Sequence, residues 1–135
     1  MLASVLLLSG CGGDVQVDAL RADPMAGWDR PGVREVTEHV TEPGTSLGKP
    51  RYARVLRILA VRDGSAVAAV LDEMRVAATD AGWAPDFEND HAFGAGKART
   101  VDGETLRLEL TVGRQTIGGT PGAVELYVSI TAYPA

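Results

Sequence analysis

One cysteine, at position 11, leaves no partner for an internal disulfide and no set for a cysteine-rich zinc site. Aromatic residues are scarce too: three tyrosines, two tryptophans and two phenylalanines. The core must therefore be built mainly from Val, Leu, Ile and Ala. Basic residues form no cluster and the net charge is −5, which disfavours a nucleic-acid interface, since such an interface neutralises phosphates with a basic face. No apolar run approaches the ~20 residues needed to span a bilayer. What is present is 135 residues with 45% hydrophobic content, which suits one domain with an ordinary core.

Residues 1–11 read MLASVLLLSGC. From Leu2 to Leu8 the chain is apolar except for Ser4, the pattern of a short signal-peptide core. Leu8, Ser9, Gly10 and Cys11 resemble the lipobox of bacterial lipoproteins, Leu-(Ala/Ser)-(Gly/Ala)-Cys. Abundant Arg, Ala, Gly and Val give the chain an actinobacterial cast within that family. The resemblance implies a diacylglycerol on the Cys11 thiol and cleavage just before it. It also implies attachment to the extracytoplasmic face of the cell membrane through acyl chains such as palmitate. Two or more chains give lasting attachment, because each buried CH₂ contributes ~0.8 kcal/mol and one chain is marginal. The family's basic segment before the apolar run is missing, which points to a start upstream of Met1. The expected organisation is a signal peptide over 1–10, an anchor and tether over 11–31, and a single domain over 32–135. Gly12, Gly13 and Asp14 fit the tether.

Within 15–31, Val15, Val17 and Leu20 could open a short element, but Pro24, Gly27, Pro31 and Gly32 interrupt it. Met25 and Trp28 are placed to pack back as a strap. Residues 33–40 show a weak edge-strand pattern, and 42–50, rich in Gly and Pro, read as a loop. Residues 52–61 (YARVLRILAV) are apolar on both parities, as a central strand would be. Val67, Val70, Leu71, Met74, Ala77, Ala78 and Ala81 recur at helical steps and form one stripe, with Ser65 before it as N-cap and Gly82 after it as terminator. Asp102 and Gly103 form a type I′ hairpin turn between a short strand at 98–101 and a longer one at 104–112. In the longer strand Leu106, Leu108, Leu110 and Val112 alternate with polar residues. In the last strand, 123–133, Val124, Leu126, Val128 and Ile130 do the same. These elements predict an α+β fold: a mostly antiparallel sheet of four to five strands with one helix packed on one face.

Four groups are candidates for chemistry. Asp86, Glu88, Asp90 and His91 begin like a calcium loop, but the sixth and twelfth positions hold His91 and Lys97 instead of Gly and Glu. That stretch reads as a solvated acidic turn, a weak metal candidate. Residues 93–98 (FGAGKA) lack the spacing and the hydroxyl of a phosphate loop and read as a flexible turn. His39 and His91 have no ligand spacing and no nucleophile beside them. The outward row Arg107, Glu109, Tyr127, Ser129, Thr131 and Tyr133 offers the side chains that interfaces favour. No catalytic constellation and no cofactor motif is legible. The expected partner is the membrane, through lipid on Cys11, together with an envelope protein or ligand. The leading expectation is a non-catalytic binding module of the cell envelope. Its alternatives are an envelope enzyme or metal-handling protein using His39, His91 and the Asp86–Asp90 turn, and a lipid-tethered structural spacer.

Overall fold

The computed structural model describes residues 12–115 and 124–135. The lipobox and most of the Gly- and Thr-rich loop before the last strand lie outside the described residues. The described residues start with α1 (Gly12–Arg21) and a 3-10 turn (Pro24–Gly27), then β1 (Val33–Thr41). A small hairpin, β2 (Gly44–Ser46) and β3 (Lys49–Arg51), leads to β4 (Arg54–Val61). After α2 (Val67–Asp80) come β5 (Ala84–Glu88), β6 (Ala92–Val101), β7 (Glu104–Gln115) and β8 (Val124–Pro134). Six strands form one antiparallel sheet in the order β1-β4-β8-β7-β6-β5, and β2 and β3 pair only with each other. No helix among the described residues is long and apolar enough to cross a membrane.

The fold is α+β with a mostly antiparallel sheet, and the described residues form six main strands and two α-helices. Period-two alternation builds its centre. Leu106, Leu108, Leu110 and Val112 on β7, with Leu126, Val128 and Ile130 on β8, are all buried on one face. Val55, Leu59 and Val61 on β4 join them. The apolar stripe of α2 covers this layer with Val67, Val70, Leu71, Met74 and Ala78. Its C-terminus closes in a Schellman motif: Trp83 N–H donates to Ala78 O at 3.0 Å and Gly82 N–H to Thr79 O at 3.0 Å. Gly82 has a φ of +94° there, which a side chain would resist. Asp102 and Gly103 both have positive φ, the type I′ turn that joins β6 to β7.

Four expectations need correction. The first concerns 11–31, which from Gly12 onward is folded rather than tether. Val17, Leu20 and Met25 enter the same core as α2, so tertiary burial outweighs the poor helix propensity of Gly12 and Gly13. The second concerns 42–50, where Leu47 and Gly48 at positive φ turn a hairpin instead of an open loop. The third concerns the two turns proposed at 86–91 and 93–98, most of which are strand. Phe93 and Ala95 point into the core, and Asn89 closes the β5–β6 connection by accepting from His91 N–H and Ala92 N–H at 2.8 and 3.0 Å. Ser65 is not the cap either: Asp63 accepts from Ser65 N–H and Ser65 Oγ–H at 3.0 and 2.7 Å, and a 3-10 turn precedes α2.

One polar cluster lies in the core. Asp23, whose side chain is 0% exposed, accepts from Met25 N–H at 2.9 Å and Trp83 Nε1–H at 3.0 Å. Lys97, inward on β6, forms an ion pair with Asp23, donates to Ala81 O at 2.9 Å and sits 4.7 Å from the Trp83 ring centre. This cluster joins the segment after α1, the exit of α2 and β6. Arg57 does similar work at the other side, donating to Trp28 O at 3.1 Å and Glu35 Oε1 at 2.6 Å.

Candidate functional site

Both helices pack into the core on one face of the sheet, so neither helix covers the side chains of the opposite parity. Strand register orders that open face. One cross-strand row runs Thr41, Arg54, Thr131, Glu109 and Gly96, and the next runs His39, Leu56, Ser129, Thr111 and Gly94. A third runs Thr37, Ile58, Tyr127, Gly113 and Ala92. At the end of the sheet where β1 leaves and β4 enters, Tyr133 stands opposite Arg107.

Of the expected row on β7 and β8, Glu109, Ser129, Thr131 and Tyr133 come together around one hollow, with Arg107 beside them and Tyr127 apart. Arg107 lies 4.9 Å from the Tyr133 ring centre and is ion-paired with Glu109. The Tyr52 and Tyr133 rings sit 4.8 Å apart at a 55° tilt. Arg54 donates from Nε to Ser129 Oγ at 3.0 Å, which fixes the guanidinium over the sheet. Glu109, Ser129, Thr131 and Tyr133 line a hollow of about 450 Å³ that Thr41, Thr111, Arg51, Tyr52 and Arg54 complete. Tyr127 is apart from it. Its ring lies across Gly113, where an added Cβ would stand 2.8 Å from the hydroxyl oxygen, so glycine is what allows this close approach.

Chemically the hollow offers charged groups, hydroxyls and an aromatic wall. Two guanidinium groups supply donors, hydroxyls of Thr41, Thr111, Ser129 and Thr131 supply both donors and acceptors, and the tyrosines supply a wall. Its carboxylate, Glu109, is held by Arg107. Arg51 and Arg54 are not ion-paired with a carboxylate among the described residues. The lining contains no histidine and no cysteine.

The weaker candidates are not assembled. His39 is on edge strand β1 and His91 in the β5–β6 turn, four strand steps away through β4, β8 and β7. At ~4.8 Å per step that is roughly 19 Å, far beyond the reach of one metal ion. Glu88 turns toward α2, 3.5 Å from Arg75, while Asp86 lies near Gly96. No group of three or more His, Cys, Asp or Glu among the described residues could hold a metal ion. Lys97, read as part of a turn, points inward to Asp23.

Arg51, Tyr52, Arg54, Thr41 and Thr111 were not legible as site residues in the sequence. The signal was weak because 52–61 is apolar at both parities and the neighbours of each strand are not written in its own residues. No family model matches this chain, and no curated protein or solved structure matches it.

Proposed function

We propose that the protein is a membrane-anchored, non-catalytic binding module of the cell envelope, held by lipid on Cys11 and binding through its open sheet face. The observation that carries this reading is the polar hollow on a sheet face that neither helix covers. Placement supports it as well. Helix α1 begins one residue after Cys11 and its Val17 and Leu20 are locked into the core. Lipid on Cys11 would therefore hold the domain against the bilayer with almost no slack. Val15 and Gln16 share a cleft with Pro43, Asp102 and Glu104, which mark the same end of the sheet as the hollow. The site would then open close to the membrane, where envelope components are concentrated.

The test is co-sedimentation of the detergent-solubilised full chain with isolated cell-envelope fragments. Arg54→Glu and Tyr133→Ala, on the open face, are expected to abolish pelleting, while Val76→Glu, exposed on α2, leaves it intact. Loss of pelleting in Val76→Glu with retention in both open-face variants would contradict the reading.

A further inference from the structure

The protein carries a net charge of −5, yet the hollow on its open face concentrates unneutralised positive charge. Arg51 and Arg54 line it without carboxylate partners among the described residues, and Glu109 is already paired with Arg107. Arg54 is oriented rather than free to swing, because its Nε–H is spent on Ser129 Oγ at 3.0 Å and its two terminal nitrogens remain. A planar guanidinium fixed at one nitrogen and open at the others matches a carboxylate or phosphate. The remaining lining is of another kind: the hydroxyls of Thr41 and Thr131 beside the tilted pair Tyr52 and Tyr133. Hydroxyls that both donate and accept, next to an aromatic wall, suit a polyhydroxylated ring. At about 450 Å³ the space exceeds what a simple anion fills and lies within the usual ~300–1,000 Å³ of small-ligand sites.

We infer that the hollow binds an acidic sugar unit, its carboxylate or phosphate against Arg51 and Arg54 and its ring against Tyr52 and Tyr133. This rests on the open face being the contact surface and adds the class of ligand. Both charges would be engaged at a partly solvated site, so binding weakens as salt rises. The carboxylate and phosphate forms share this chemistry and are separated by the choice of probe.

The experiment is a titration of the isotope-labelled full chain in a neutral detergent, followed by nuclear magnetic resonance of backbone amides and arginine Nε–H groups. The probes are D-glucuronate, glucose 1-phosphate, D-glucose and inorganic phosphate, each run separately. Either or both acidic sugars should shift Arg54 Nε–H and the amides of Tyr52, Ser129 and Thr131, and the stronger of the two identifies the anion. Neutral glucose and phosphate alone should each bind at least about ten-fold more weakly, since each lacks half of the contacts. Arg51→Gln with Arg54→Gln should remove the response to acidic sugars while the core methyl signals stay in place. Equal binding of glucose and glucuronate would overturn the inference and leave the contact face standing. Silence at the hollow with all four probes, or shifts that survive the double substitution, would also overturn it. Envelope co-sedimentation judges the contact face independently of these outcomes.

Discussion

Lys97→Met strands the Asp23 carboxylate in the core. The Asp23 side chain is fully buried, and without the ammonium it keeps only the N–H groups of Met25 and Trp83. Removing one partner of a buried pair costs about 3–5 kcal/mol, because the remaining charge is left uncompensated. Two surviving neutral donors place this case at the lower end, about 3 kcal/mol. Asp23→Ala strands Lys97 instead and unpairs the Trp83 N–H. Its expected cost is again about 3 kcal/mol, eased because Lys97 keeps Ala81 O and is 17% exposed. Combining the two leaves no stranded charge, only an unpaired indole N–H and the loss of the Asp23 cap on Met25 N–H at the start of the 3-10 turn, for about 2–3 kcal/mol. The double variant should thus be at least as stable as Lys97→Met alone, although simple addition would give roughly 6 kcal/mol. Urea unfolding of the full chain in a neutral detergent, followed by tryptophan fluorescence, reads this directly, since Trp83 belongs to the cluster. Additive costs in the double variant would refute the pairing of Asp23 with Lys97.

Gly113→Ala places a Cβ 2.8 Å from the Tyr127 hydroxyl oxygen and within 3.0 Å of two ring carbons. The ring must leave the sheet, at about 1–3 kcal/mol, seen as a changed Tyr127 ring environment by nuclear magnetic resonance and a lower unfolding midpoint. The Asp63 carboxyl is held below its ordinary range first by the Ser65 hydroxyl and then by the Ser65 N–H. Its contribution to folding is therefore complete above the ordinary carboxylate range and lost as pH falls through its lowered folded value. Asp63→Ala should be less stable than the parent near neutral pH, and denaturation curves should show the gap closing in strong acid. Cys11→Ala should move the protein from the membrane fraction to soluble or uncleaved fractions, with its circular dichroism unchanged. Retention on membranes after a salt wash would place the anchor elsewhere.

Elements whose burial has a short period were readable in the sequence. Leu106 to Val112, Leu126 to Ile130 and the stripe from Val67 to Ala78 each declare a buried face through their own spacing. Gly82 and Asp102-Gly103 declare their turns through backbone freedom. Less legible were elements defined by what lies across from them. Gly94 and Gly96 look like loop residues, yet they are in β6, where the Phe87 ring occupies the space over Gly94 that a Cβ would need. Residues 12–21 look like a tether until Val17 and Leu20 are seen inside the core. Four of the nine residues lining the hollow are legible in the sequence, and five are not. Glu109, Ser129, Thr131 and Tyr133 alternate cleanly with buried neighbours, whereas Arg54 shares its parity with Leu56 and Ile58. Its place beside Thr131 follows from β4 pairing with β8, strands about 70 residues apart whose adjacency no local pattern encodes.

The most direct measurement is the intact mass of a C-terminally tagged full chain, expressed in a bacterial host with lipoprotein processing and extracted in detergent. A mass equal to the chain from Cys11 onward plus a diacylglycerol, with or without a further acyl group, is the predicted result. It would fix a domain with almost no tether at the membrane surface, where the open face has its proposed role. An unmodified chain that retains the residues before Cys11 would contradict the account and assign that segment to some other purpose.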